Sequence, residues 1–173
     1  SLGVQASDLV GEIEAITAPE IRVRINSPGG SVFDAVAIYN ALNHHPARVV
    51  TYVDALAASA ASVIAMAGDE IVMMPGSQMM IHDASAQEGG NAEDHRKLGT
   101  FLDRQSDNIA DIYRMRAGGT VEDWRMLMLE ETWAFAGEAV TLGLADRVEQ
   151  PPAAARPEPT PDQELMARAF DMS

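Results

Sequence analysis

Three short stretches hold side chains able to carry out acyl transfer. In Ala57-Ala58-Ser59-Ala60-Ala61-Ser62, Ser59 stands where a strand-like run gives way to a run of small residues that reads as a helix. A hydroxyl there is exposed and favoured by the helix dipole, and the N–H that follows it can stabilise an oxyanion. Taken alone, the pattern suits close helix packing at least as well. Ser62, one turn on, is the rival nucleophile, although a serine inside a helix commonly bonds to the helix backbone. His82 ends the apolar run Met79-Met80-Ile81, and imidazole titrates near the pH at which a general base must work. His44 and His45 lie at a helix end before Pro46, and His95 lies on a polar helix start, so His82 is the best base among the four. The third stretch, Asn26-Ser27-Pro28-Gly29-Gly30-Ser31, sets glycines between a strand and a helix, where backbone N–H groups can approach a ligand. It lacks the G-x-G-x-x-G pattern, which sets a dinucleotide site aside.

These stretches need a scaffold, and hydrophobic periodicity supplies one. Ser7-Asp8 is placed to cap a helix with Leu9, Val10, Ile13 and Ile16 on one face. Residues 21–25 alternate Ile21, Val23 and Ile25 against Arg22 and Arg24, a strand with one buried and one charged face. The glycine turn then leads into a helix over Val32–Asn43. The unit repeats as a strand over 48–53, a loop over 54–56, a helix over 59–67, and strands over 71–73 and Gln78–Ile81. A polar segment, 84–91, precedes a long helix over Ala92–Ala117 that Gly118-Gly119 stops. Further helices are expected over Val121–Leu129 and 137–142, and a strand over 145–148. Alternating strands and helices indicate an α/β domain. The proline-rich run from Pro151 to Pro161 reads as a linker, with a short helix expected over 162–170. The domain is therefore assigned to residues 1–149 and the linker and tail to 150–173.

Composition narrows the function classes. Across 173 residues, 47% are hydrophobic and 22% charged, as in an ordinary globular domain. Asp and Glu outnumber Lys and Arg by 26 to 12, for a net charge of −14, which argues against phosphate-tracking nucleic-acid surfaces and anionic membranes. There is no cysteine, so disulfides, thiolate metal sites and a thiol nucleophile are excluded, and a reducing cytosol fits. The longest apolar stretch, 55–68, is too short for the roughly 20 residues of a membrane span. The histidines are not spaced as ligands on one element, so neither a metal nor any other cofactor is expected.

Taken together, the three stretches resemble the Clp protease proteolytic subunit family, or ClpP. Residues 25–39, Ile-Asn-Ser-Pro-Gly-Gly-Ser-Val-Phe-Asp-Ala-Val-Ala-Ile-Tyr, are similar to its I-N-S-P-G-G segment and the I-Y that follows. Ala57-Ala58-Ser59 resembles its nucleophile segment, Met80-Ile81-His82 its M-I-H segment, and Glu138-Ala139-Val140 with Gly143-Leu144-Ala145-Asp146 its E-A-x-x-x-G-L-x-D. The likeness covers roughly residues 7–149. It implies a ClpP/crotonase-like core of repeated β-β-α units with a protruding handle helix, here Ala92–Ala117. It implies a serine endopeptidase with Ser59 as nucleophile, His82 as general base, and the amides of Gly30 and Ala60 as oxyanion hole. The third member falls on Glu131, where the family usually has Asp, with Glu130 or a water-assisted dyad as alternatives.

The resemblance also implies partners: a polypeptide substrate and further copies of the chain in a ring, or in stacked rings, enclosing a chamber. The pattern Glu131-Thr132-Trp133 with Gly137-Glu138-Ala139 looks more like phage and prophage peptidases, some of which process capsid or scaffold proteins. The bacterial cytoplasm, with the chain phage-encoded, is the expected location. The family's axial loop and first strand are missing before residue 7, which argues against docking of an AAA+ unfoldase. Three other readings stand beside the peptidase. A crotonase-type acyl-CoA enzyme shares the fold but does not need the Ser59 and His82 pair. A Ser/Lys peptidase would have to use Lys97, which lies on a polar helix start. An inactive assembly protein would keep the fold for oligomerisation alone.

Overall fold

The computed structural model describes residues 5–150. The element order is α1 (Ala6–Glu14), β1 (Glu20–Ser27), α2 (Val32–Asn43), β2 (Arg48–Ala58), α3 (Ala60–Ala65), β3 (Glu70–Met73), β4 (Gln78–Ile81), α4 (Ala92–Ala117), α5 (Val121–Leu129), β5 (Thr132–Phe135), α6 (Ala136–Thr141) and β6 (Arg147–Val148). The expected tail and its helix over 162–170 lie outside the described residues.

All six strands form one sheet organised around β2. β1 runs parallel along one edge of β2, from Glu20↔Arg48 to Ser27↔Ala57, with a register shift between Ile25 and Ser27. The other edge of β2 is shared. Val50–Val53 pair with β3 and Leu56–Ala58 with β4, both in parallel. β6 adds in parallel to β3, and β5 adds antiparallel to β4. Residues 54–56 were expected to form a loop because Asp54 and Ala55 are poor strand formers. Instead β2 runs through them to Ala58: Asp54 and Ala55 fall in the register shift of the β1 ladder, and pairing resumes at Leu56 with Gln78 and at Ala57 with Ser27.

Two further differences have local causes. α1 begins at Ala6 with Gln5 as its cap and no side-chain cap bond, so Asp8 lies within the first turn rather than before it. β5 was not expected, since four residues are too few to show a period, and it exists through its pairing with β4.

The core lies between the sheet and helices α2, α3, α5 and the second half of α4. Val53, Ala57, Ala65, Ile71, Met73 and Met79 are wholly buried there. The outward face of β1 carries the arginines, with Arg22 paired to Glu20 at 2.8 Å and Arg24 bonded to Asp54 at 3.0 Å. α4 divides in two. Its buried residues are Ser106, Ile109, Ala110, Ile112 and Tyr113, whereas residues 92–105 bury none. That first half, started by the Asn91–Asp94 capping box, is largely exposed and touches the body through Phe101, whose ring lies 6.2 Å from that of Phe33 on α2.

Candidate active site

Ser59 occupies the single residue between β2 and α3, with φ 55° and ψ −127°. A non-glycine residue is held there only when its surroundings over-determine it. Three constraints do so. Its N–H donates to Met80 O at 2.8 Å. Its carbonyl accepts from Ser62 N at 2.9 Å and from Ser62 Oγ at 2.5 Å. From above, Gly29 packs directly onto the turn. A Cβ added at Gly29 would lie 2.6 Å from Ala58 O, 2.8 Å from Ser59 Cβ and 2.9 Å from Ala60 N. Gly29 also has φ 98°, a second reason for glycine at that position. The result is a sharp strand-to-helix turn that pushes the Ser59 hydroxyl outward.

The same sheet delivers His82. The β2–β4 ladder aligns Ala58 with Met80, which puts the residue after β4 beside the residue after β2. His82 Nε2 lies 2.7 Å from Ser59 Oγ, within direct proton-transfer reach. Both residues are half-buried, and both line a small pocket of about 50 Å³ together with Gly30, Val32, Ala60 and Tyr113. The site thus brings together a hydroxyl, an imidazole and the residues Gly30 and Ala60, whose amides were assigned from sequence. That arrangement can attack a carbonyl and hold the oxyanion that forms.

Glu131 lies close by in register. The last β4–β5 pair is Ile81↔Thr132, so His82 and Glu131 are the residues that flank the end of this ladder. Glu131 also has φ 52°, and it and Ser59 are the two non-glycine residues of positive φ among those described. Its Oε1, however, accepts from Trp133 Nε1 at 3.2 Å, and among the described residues His82 is hydrogen-bonded to Ser59 alone. Glu130 is exposed, and its backbone N–H caps α5 by donating to Met126 O.

The remaining candidates lie elsewhere. Ser62 is fully buried, with its hydroxyl donating to Ser59 O and lying 2.7 Å from Tyr113 Oη, so it has no route to a substrate. Lys97 is exposed on the handle, in a depression with Glu88, Asp94 and His95 rather than with Ser59. His44 and His45 bond to the backbone carbonyls of Asn40 and Ile16. Among the described residues, no group of three or more His, Asp and Glu could hold a metal ion, and no helix is long and apolar enough to cross a membrane.

Sequence reading missed two supports of the site. Arg125 on α5 grips Asp83, the residue after His82, with a two-pronged bond at 3.1 and 3.2 Å, and it also bonds to Asp107 and the Asp103 carbonyl on α4. Burial lowers the Arg125 affinity for its proton, but the bonds to Asp83 and Asp107 outweigh this and raise it. Next to Asp83, Ala84 N donates to Ser106 Oγ at 3.0 Å. Tyr113 on α4 is the other support. Burial pushes its phenol well above the ordinary value, against a smaller lowering from Ser62. The acid-rich face of α4 was the one available hint of Arg125.

The Clp protease family model matches residues 8–152. The chain is 34% identical over 131 residues to the ATP-dependent Clp protease proteolytic subunit of Deinococcus radiodurans, a match covering 75% of this chain and 64% of that protein. It is 32% identical over 149 residues to that of Chlorella vulgaris, covering 83% and 74%. With subunit 3 of Rhodococcus jostii it shares 34% over 144 residues, covering 82% and 71%. The matched stretch therefore spans just under two thirds of the first relative and somewhat more of the other two. With the family pattern matched along most of its length, the chain belongs to the Clp protease family.

Proposed function

We propose that this chain hydrolyses peptide bonds through an acyl-enzyme on Ser59. The observation that carries this reading is the 2.7 Å contact between Ser59 Oγ and His82 Nε2 at a strained turn roofed by Gly29. His82 takes the hydroxyl proton as Ser59 attacks the carbonyl, then gives it to the leaving amine. The amides of Gly30 and Ala60 stabilise the oxyanion, and water releases the acyl group with His82 again as base. Glu131 orients the imidazole and stabilises its charge once it swings from Trp133 to His82, a movement supported by its place in the ladder and its strained backbone.

The chain acts on polypeptides within a closed ring of its own copies, with the exposed half of α4 as the handle between stacked rings. Supporting the ring are the family, the protruding helix and the exposed apolar side chains Met126, Leu129, Trp133 and Phe135 around α5 and β5. The biological role is maturation of phage or prophage capsid or scaffold proteins in the bacterial cytoplasm, supported by the Glu131-Thr132-Trp133 pattern.

A fluorophosphonate probe tests the chemistry. Wild type is labelled at Ser59 at neutral pH and cleaves a fluorogenic peptide, Ser59→Ala does neither, and Ser62→Ala is still labelled at Ser59. An unlabelled Ser59 in assembled wild type ends the peptidase proposal. Native mass reads the ring, and a monomer at micromolar concentration counts against it.

A further inference from the structure

Ser62 and Tyr113 have no role in the mechanism above, yet both are buried and both are bonded towards the nucleophile. Ser62 Oγ has one proton, and it goes to Ser59 O at 2.5 Å. Tyr113 Oη, 2.7 Å away, must therefore donate to Ser62 Oγ rather than accept from it. Burial keeps the phenol protonated well beyond neutral pH, so it remains a donor. The chain of donors thus runs Tyr113 O–H to Ser62 O–H to Ser59 C=O, and such chains strengthen their members in a dry interior. Ser62 N adds a second bond to the same carbonyl at 2.9 Å.

The carbonyl of Ser59 belongs to the peptide plane that carries the N–H of Ala60. The described chain has no cis peptide bond, so C=O and N–H in that plane point in opposite directions. Fixing one end of the plane therefore aims the other. Tyr113 is rooted in α4, where it is 1% exposed and its ring packs on Trp124 with centroids 5.6 Å apart. Trp124 is held in turn by a bond from Nε1 to Gly118 O at 2.8 Å.

We propose that Ser62 and Tyr113 are positioning residues for the oxyanion hole: their hydrogen-bond chain pins the Ser59–Ala60 peptide plane and so aims the Ala60 N–H at the developing oxyanion. This rests on the peptidase reading of Ser59. It also gives α4 a part in catalysis, since the helix that forms the handle carries the far end of the chain.

The test compares wild type, Tyr113→Phe and Ser62→Ala in the full-length protein. Tyr113→Phe removes one hydroxyl from a ring that otherwise keeps its packing. Readouts are kcat and KM on a fluorogenic peptide, and the inhibition constant of a peptide boronate, whose tetrahedral adduct mimics the transition state. Losing an oxyanion donor outright costs about 10²–10³ in kcat, so misaiming one should cost less. The expected result is a kcat lower by about tenfold in Tyr113→Phe and by up to about a hundredfold in Ser62→Ala, with KM unchanged. Boronate affinity falls by the same factor as kcat, because only the tetrahedral state uses the amide.

Two results overturn the inference. One is kcat and boronate affinity within twofold of wild type in Tyr113→Phe. The other is a loss of kcat with no matching loss of boronate affinity, which marks a merely structural role. If Ser62→Ala does not fold, Tyr113→Phe decides alone. Failure of wild type to bind boronate or cleave peptide is a different outcome, which overturns the peptidase reading and this inference with it.

Discussion

His82 follows β4 and Glu131 precedes β5, each one residue beyond the last pair of their ladder, Ile81↔Thr132, while the Glu131 carboxylate accepts the Trp133 indole N–H at 3.2 Å. Ser59 and His82 are therefore bonded to each other, whereas the Glu131 carboxylate is bonded elsewhere. The indole bond is exposed and competes with water, so it contributes little to holding the carboxylate in place.

Glu131→Ala is expected to lower kcat by about 10²–10⁴, within the range for loss of a triad acid. Trp133→Phe removes the competing donor and keeps kcat at or above wild type. Steady-state cleavage of a peptide substrate reads both, and a Glu131→Ala variant as active as wild type would leave a water-assisted dyad in its place.

His82→Ala removes the base and should cost about 10⁴–10⁶ in kcat, with KM changed far less. Ser59→Ala should match it, and the double variant should be no worse than either, because the two act as one unit. Additive losses in that comparison contradict the paired roles.

Gly29→Ala puts a methyl group within 2.6–2.9 Å of the nucleophile turn and forces alanine to φ 98°. The dihedral alone costs about 1–2 kcal/mol, and displacement of the Ser59 turn by even 1 Å costs about 10²-fold in rate. Urea unfolding and kcat should both show the loss. Gly30→Ala meets nothing within 4 Å at its Cβ and should unfold near wild type.

Arg125 and Asp83 form the strongest polar tie between α5 and the segment after His82. Cutting it with Asp83→Asn or Arg125→Met is expected to cost about 1–3 kcal/mol of stability. A double-mutant cycle should return a coupling of about 0.5–3 kcal/mol. A coupling of zero means that water replaces the bond without loss.

Alkaline pH tests the buried phenols. Burial raises Tyr113, and burial followed by Asp111 raises Tyr39. In the unfolded chain each loses its proton near pH ~10, whereas the folded chain holds it. Above pH ~10 the unfolded state thus binds fewer protons, and stability falls as pH rises. Urea midpoints from pH 8 to 11 should decline in wild type and decline less in Tyr113→Phe. An equal decline in both assigns the effect to other groups.

Much of this was legible in the sequence because it is local. Alternation over residues 21–25, glycines after a strand and a serine before small residues each follow from short-range chemistry, and family likeness joined them into one site. What was not legible depends on pairing across the fold. Residues 54–56 read as a loop because what carries β2 past them, the pairing of Leu56 with Gln78 and of Ala57 with Ser27, comes from segments distant in sequence. β5 is four residues long and is defined by its partner. Arg125 gains meaning only when Asp83, Asp103 and Asp107 converge on it from two other segments. Ser62 looked like a rival nucleophile because the sequence does not say which helix stands behind it.

The positive dihedrals of Ser59 and Glu131 have a consequence for the history of the chain. Glycine would adopt either conformation without steric penalty, so at both positions the active sequence is locally the less comfortable one. A library selected for heat tolerance without a cleavage assay should accumulate glycine at 59 and 131, enriching robust proteins that no longer cut anything. On the roles proposed for Ser59 and Glu131, retention of a side chain at both positions is the mark of selection on catalysis rather than on folding.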